Sequence, residues 1–273
     1  MRAVWRRLPP TALGFDAGKL LTRTLLRPAS VPSPVAFEFS GQVPMTVDLG
    51  ELTGNDLFCL DRCYESLTLR LWRALAARAE TVVDVGSHVG TFAAVAAVAN
   101  PSATVVAVEP LPGNVERLRQ NCARFGNVVV LPFAVATSSG PASLEVDVRN
   151  AGGGRLVSRE EGSRTVRVTS LTLGDVCRGC HLRSVDLLKL DVEGYEASLL
   201  AAEGEFWEAW APAHVIVEIA APDRRGIAAI VEVMTKRGYG GRPIQSLLAF
   251  PALRRRRLEN WHFWRTPSDG PGA

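Results

Sequence analysis

The stretch Thr81-Val-Val-Asp-Val-Gly-Ser-His-Val-Gly-Thr91, continued by Phe92-Ala-Ala-Val-Ala-Ala-Val-Ala99, decides the fold. A β-branched run ending near a carboxylate, a turn holding glycines 86 and 90, and an alanine-rich apolar segment read as strand, tight turn and helix. Gly86 takes a backbone angle closed to other residues, and Gly90 lets the helix start approach a ligand closely. Three further apolar runs end the same way, at Glu109, Asp191 and Glu218. Ligands of an open α/β sheet bind outside the carboxyl ends of its strands. Asp84, Glu109, Asp191 and Glu218 therefore outline the rim of one site.

Outward from this segment, strands are expected at 81–85, 104–109 and 127–131, with helices at 64–79, 89–99 and 112–125. The strands ending at Asp191 and Glu218 and a helix at 224–237 continue the alternation. Such spacing means an α/β fold with a doubly wound, mostly parallel sheet. Residues 143–148 and 164–169 break the pattern as an antiparallel insertion, its loop holding Gly152, Gly153 and Gly154. That loop is either a flap over the substrate or a plain solvent loop. Residues 36–60 alternate apolar and polar positions and predict a β-hairpin before the core.

The glycine turn also bears on the ligand. Glu109 lies about twenty residues beyond it, where an acid accepts hydrogen bonds from ribose hydroxyls. A nicotinamide dinucleotide normally needs a third glycine to seat its pyrophosphate. Here the spacing is DxGxxxG, with Ser87 and His88 inside it and Thr91 after it. A nucleoside bearing an amino-acid tail, S-adenosylmethionine, fits better. His88 is expected to donate a hydrogen bond near the methionine carboxylate, with proton acceptance as its alternative role.

The segment Ser184-Val-Asp-Leu-Leu-Lys-Leu-Asp-Val-Glu-Gly-Tyr-Glu-Ala-Ser-Leu-Leu200 resembles the signature of the FkbM-type S-adenosylmethionine-dependent methyltransferases. The resemblance rests on Lys189, Asp191, Glu193, Gly194, Glu196, Leu199 and Leu200. It extends to the glycine turn, to the helix ending in Asn121, to Pro132–Ala136 and to the strand at Glu218. It implies a class I, Rossmann-like fold with a seven-stranded sheet closed by a hairpin, for which the apolar runs 244–250 and 261–264 are the candidates. It also implies methyl transfer to an oxygen, a hydroxyl of a natural product or sugar. Cofactor contacts are then expected from Asp84, Gly86, Ser87, His88, Gly90, Thr91, Glu109, Pro110, Phe133 and Ala134.

An aliphatic hydroxyl does not lose its proton readily, so the reacting half needs a general base or a metal. Asp191, Glu193 and Glu218 are the candidates, and together they would hold one Mg²⁺ through oxygen ligands, chiefly at Asp191 and Glu218. Glu193 serves equally as a helix N-terminal acid. Lys189, two residues before Asp191, shares its strand face and either pairs with a carboxylate or binds the acceptor.

The 273 residues suffice for one large catalytic domain, here 61–273, preceded by an extension or lid at 1–60. A net charge of +3 is too small to point to a nucleic-acid partner. No apolar run is long enough to span a membrane, and the N-terminus lacks the core of a secretory signal. A cytoplasmic location with reduced thiols is the expectation. The basic arm with Arg2, Arg6, Arg7, Lys19, Arg23 and Arg27 is expected to be a solvated arm or a lid packing on the catalytic domain, with weak membrane-surface contact as its alternative. Arg254 to Arg257 read as a solvated turn, with a phosphate-bearing substrate as alternative.

Cys177-Arg-Gly-Cys-His181 matches a haem-attachment pattern, but it sits in a short connection into the Asp191 strand. Cys59, Cys63, Cys177 and Cys180 are expected to be half-buried thiols rather than a zinc site. The readings that remain beside a small-molecule or glycan methyltransferase are a protein or nucleic-acid acceptor, and a non-catalytic protein that keeps the fold for binding.

Overall fold

A computed structural model describes residues 33–266, except 41, 62–63, 147–153, 158–164, 203, 222–223 and 245–256. The basic N-terminal arm, Gly152 and Gly153, and Arg254 to Arg256 lie outside the described residues. The chain opens with a hairpin, β1 (Val35–Phe39) and β2 (Val43–Val47), then α1 (Leu52–Leu60) and α2 (Ser66–Ala76). The winding follows: β3 (Thr81–Val85), α3 (Thr91–Ala99), β4 (Thr104–Val108), α4 (Pro112–Cys122) and β5 (Val128–Leu131). The insertion comprises β6 (Ala134–Val135), β7 (Gly140–Val146), β8 (Gly154–Val157) and β9 (Thr165–Leu171). After it come α5 (Leu173–Gly179), β10 (Leu187–Leu190), α6 (Glu196–Ala202), α7 (Gly204–Ala209), β11 (His214–Ala221), α8 (Arg224–Lys236), β12 (Tyr239–Pro243) and β13 (Arg257–Arg265).

The central sheet has seven strands in the order β12-β13-β11-β10-β3-β4-β5. Its inner strands pair in parallel, and β13 runs antiparallel to both neighbours. β3 and β10 are buried on both faces because helices cover both sides. Val82, Val105, Ala107, Leu187 and Ile216 pack under the hairpin, α2 and α3. Val83, Val106, Leu188, Val215 and Phe263 pack against the opposite layer with Leu199, Phe206 and Met234. Trp72 anchors the first layer, its Nε1 donating to the Phe92 carbonyl at 2.9 Å.

Three expectations are corrected. The hairpin ends at Val47, and residues 52–60 form a helix that buries Leu57, Cys59 and Leu60. The insertion is a four-stranded sheet in which β6 pairs in parallel with β9. The closing hairpin begins earlier than expected, with β12 pairing to β13; of the run 244–250 only Ile244 is described, its N–H donating to the Asn260 carbonyl at 2.8 Å, and 245–250 lie outside the described residues. Two glycines and a proline hide β12 from a sequence reading. They are there because aromatic rings lie over them: a Cβ on Gly240 would stand 3.1 Å from the Trp264 ring, and one on Gly241 2.4 Å from the Phe263 ring. No helix among the described residues is long and apolar enough to cross a membrane.

Candidate functional site

The winding reverses between β3 and β10, since β4 and β5 lie on one side of β3 and β10 and β11 on the other. Such a reversal opens a crevice at the carboxyl ends of the two strands. Gly86, with φ +77°, closes its floor. A Cβ there would lie 1.9 Å from the Asp191 carbonyl oxygen, so the turns after β3 and β10 touch through bare backbone. Gly90 also has a packing role: at φ +90°, a Cβ on it would meet Leu118 Cδ1 at 2.6 Å, so its bare face seats α3 on α4.

Asp84, on β3, is wholly buried. Burial pushes its carboxyl up, against the pull of Lys189. Ser87 Oγ donates to the Asp84 carbonyl at 2.7 Å, and Thr91 is buried at the head of α3. His88, at φ +51°, donates its backbone N–H to Glu109 Oε2 at 2.9 Å. Glu109 Oε1 accepts from Leu111 N at 3.0 Å and from Asn114 Nδ2 at 3.1 Å. Burial pushes Glu109 up to about 7, with these hydrogen bonds pulling back. A carboxylate offers about four acceptor positions, so one of them, on Oε2, is left for a ligand. Pro110 follows at the half-buried start of the next loop. Phe133 is half-buried against the second core layer, and Ala134 is buried in β6 opposite Ser170.

The reacting half is a charge cluster around Lys189. Strand register sets Lys189 beside Asp84 on one neighbour and Ile216 on the other. Its Nζ donates to Asp191 Oδ2 at 2.7 Å and stands 4.5 Å from the Phe92 ring centroid. The side chain is 1% exposed. Burial works against its charge, yet Asp191, Asp84, Glu218 and Glu65 together hold its pKa above the ordinary lysine value. Glu218 lies buried on β11, where desolvation, then Asp191 and Glu65, push its carboxyl far up.

Glu193 stands on the open side at φ +54°, its carboxyl pushed up to about 7 by desolvation, Asp191 and Glu196. Glu196 braces this turn, its Oε1 accepting from Val192 N at 3.0 Å and Gly194 N at 3.1 Å. His88 Nε2 is buried with no partner, and burial lowers the ring to about 4, so it is neutral at pH 7.

The structure thus brings Asp84, His88, Lys189, Asp191 and Glu218 into one electrostatic neighbourhood, with Glu109 at one wall and Glu193 at the mouth. It adds residues that no sequence motif marks. Glu65 caps α2 at φ +40° and accepts from Asn260 Nδ2 at 3.3 Å, while Asn260 pairs opposite Glu218. Tyr64 belongs to the same group, its phenol pushed up by burial, Glu65 and Glu218. The one available signal is the polar Asn260 next to Trp261, Phe263 and Trp264 in β13.

Among the described residues no group of three or more His, Cys, Asp or Glu is placed to hold a metal ion. The positive charge between Asp191, Asp84 and Glu218 is the Lys189 ammonium, so a magnesium ion at Asp191 and Glu218 does not fit. Cys59 and Cys177 are buried and Cys180 is partly so, while Cys63 lies outside the described residues.

The curated hexuronic acid methyltransferase AglP of Haloferax volcanii is 34% identical over 138 residues, which are 50% of this chain and 55% of that protein. The chain therefore spans about half the length of the curated relative it matches. Among solved structures, Methanococcus jannaschii TYW2 in complex with AdoMet is similar at 12% identity and TM-score 0.45, covering 87% of this chain and 89% of that one. A putative O-methyltransferase from Klebsiella pneumoniae is similar at 11% identity and TM-score 0.44, covering 74% and 80%. The family model described as the methyltransferase FkbM domain matches residues 84–240, more than half of the chain, and the chain belongs to that family.

Proposed function

We propose that this chain transfers a methyl group from S-adenosylmethionine to an oxygen, a hydroxyl of a sugar or other small molecule. The observation that carries the reading is the contact at the switch point. There the turn of Gly86 meets the backbone of Asp191, so a cofactor crevice and a lysine–carboxylate cluster share one wall. The residues present fit the cofactor. Glu109 keeps an acceptor position for a ribose hydroxyl, the Asp84 carboxyl suits the methionine ammonium, and His88 Nε2 is an unpaired polar atom in the same neighbourhood. When bound, that cofactor supplies a sulfonium-activated methyl group, and positioning provides much of the rate.

The protein's own part is to orient the acceptor and remove its proton. Lys189 holds Asp191 in place, and Glu193 accepts the proton from the mouth of the site. A carboxyl near pKa 7 is matched to that task at neutral pH. The relative's name makes hexuronic acids the first acceptors to try. The test is transfer of radiolabel from methyl-labelled S-adenosylmethionine to glycosides of glucuronic and galacturonic acid, alongside calorimetric binding of S-adenosylhomocysteine. Transfer that falls on Glu193→Gln with binding unchanged supports the reading. An absence of cofactor binding by the wild-type chain overturns it.

A further inference from the structure

One face of the central sheet changes character partway across. Under α3 and the hairpin it carries Val82, Val105, Ala107 and Leu187. Toward the closing strands, alternation places Glu218 of β11 and Asn260, His262 and Trp264 of β13 on that same face, while Val217 and Phe263 enter the other core layer. Asn260 lies opposite Glu218, and His262 lies opposite Ile216, which in turn sits beside Lys189. Neighbouring strands are about 4.8 Å apart, so this polar patch begins next to the reacting cluster.

Two of its atoms are orphaned. Asn260 is 3% exposed and His262 6%, yet neither Asn260 Oδ1 nor His262 Nδ1 has a hydrogen-bond partner. Their other ends are engaged: Asn260 Nδ2 donates to Glu65 Oε2 at 3.3 Å, and His262 Nε2 shares a proton with His214 Nδ1 at 3.1 Å. Native interiors pair nearly all such groups, and exceptions call for a ligand or a function.

We infer that Glu65, Glu218 and Asn260, with His262 one position behind, form the acceptor subsite, and that the acceptor is a sugar presenting neighbouring hydroxyls to it. The inference rests on the methyl-transfer reading and names its substrate class. The wall is rich in oxygen acceptors: two carboxyl groups and the free amide oxygen of Asn260. Vicinal hydroxyls bring several donors at short spacing and satisfy them together. An apolar acceptor would leave the Asn260 amide oxygen and His262 Nδ1 unpaired. Asn260 also orients Glu65, so it is a positioning residue with one atom of its own turned to the ligand.

Saturation-transfer NMR with methyl β-D-glucoside and methyl β-D-glucuronoside, in the presence of S-adenosylhomocysteine, tests this, with cyclohexanol as a single-hydroxyl control. The wild-type chain is expected to transfer magnetisation to the pyranosides and not to cyclohexanol. Asn260→Leu and Glu65→Leu are expected to weaken sugar binding about tenfold or more. Glu65→Gln, which keeps an acceptor oxygen, should restore part of it. Calorimetric affinity for S-adenosylhomocysteine should stay the same throughout. Equal transfer to sugar and cyclohexanol, or variants that bind sugar as the wild type does, overturns the inference. Parallel loss of S-adenosylhomocysteine binding in both leucine variants overturns it too, because the residues would then act through the fold. A wild-type chain that binds no S-adenosylhomocysteine instead sinks the methyl-transfer reading beneath it.

Discussion

Replacing Lys189 by methionine removes the one cation at the centre of the cluster while nearly keeping its volume. The side chain is 1% exposed and offsets four carboxylates, those of Asp191, Asp84, Glu218 and Glu65. Removing one partner of a buried ion pair costs about 3–5 kcal/mol, because the other charge is left uncompensated. Asp191 is partly exposed and can hydrate, which places the expected loss for Lys189→Met at about 3 kcal/mol at pH 8. The sign of its pH dependence is fixed. Asp84 and Glu218 already have carboxyl groups raised by burial, and losing Lys189 removes an influence that lowers both. A carboxyl raised in the folded state binds more protons folded than unfolded, so stability falls as pH rises from its unfolded value through its folded one. The penalty should therefore be largest at pH 8 and shrink toward pH 5, where protonation relieves the bare carboxylates. Urea unfolding followed by tryptophan fluorescence at pH 5.5, 7 and 8 measures this. A loss below about 1 kcal/mol, or one equal at all three values, would refute the assignment of Lys189 as the counter-charge.

Other perturbations test separate parts of the site. Gly86→Ala places a Cβ 1.9 Å from the Asp191 carbonyl oxygen in a left-handed turn, and a displacement of about 1 Å in the reacting half should cut kcat/KM about a hundredfold; near-normal turnover would remove that turn from the catalytic geometry. Asn121→Ala deletes bonds from and to Thr46 and one to the Val89 carbonyl, and should cost about 2–3 kcal/mol in chemical denaturation. Glu109 has its carboxyl near 7, and ionisation strengthens its acceptance of ribose hydroxyls. Cofactor affinity measured by calorimetry should therefore rise between pH 6 and 8 in the wild type and stay flat in Glu109→Gln. Excess EDTA should leave turnover unchanged, since Lys189 holds the cation's place; a loss restored by Mg²⁺ would contradict this.

What sequence could and could not reveal divides along physical lines. β3, β4, β10 and β11 are buried on both faces, so their sequences are mostly apolar and the charged residues in and just after them stand out, although Glu218 lies within β11 rather than at its tip. Lys189 and Asp191 are two apart on one strand, and alternation alone predicts that they meet, as they do at 2.7 Å. Other features depend on partners far along the chain. Glu65 and Asn260 are 195 residues apart, and their contact follows from β13 inserting between β11 and β12. β12 is a strand because Trp264 and Phe263 fill the space above its glycines, which no local propensity records. Gly90 was legible as a required glycine, but its packing on Leu118 of α4 was not.

The N-terminal hairpin shows how far such long-range packing reaches into the site. Phe37, Phe39, Val43, Met45 and Val47 are buried in the same core layer as Trp72 and Phe92. Asn121 joins that layer to the cofactor turn, accepting from Thr46 N at 2.7 Å while its Nδ2 donates to the Thr46 carbonyl at 3.1 Å and the Val89 carbonyl at 2.7 Å. A hairpin held this way cannot swing without unpairing buried groups beside His88 and Gly90, at a cost of about 1–3 kcal/mol each. β2 therefore supports the glycine turn through Asn121. Phe92 completes the link: it packs against Trp72 on one side of the layer and lies 4.5 Å from the Lys189 ammonium on the other. Disturbing the hairpin should thus reach the charge cluster through Phe92 as well as the cofactor turn through Asn121.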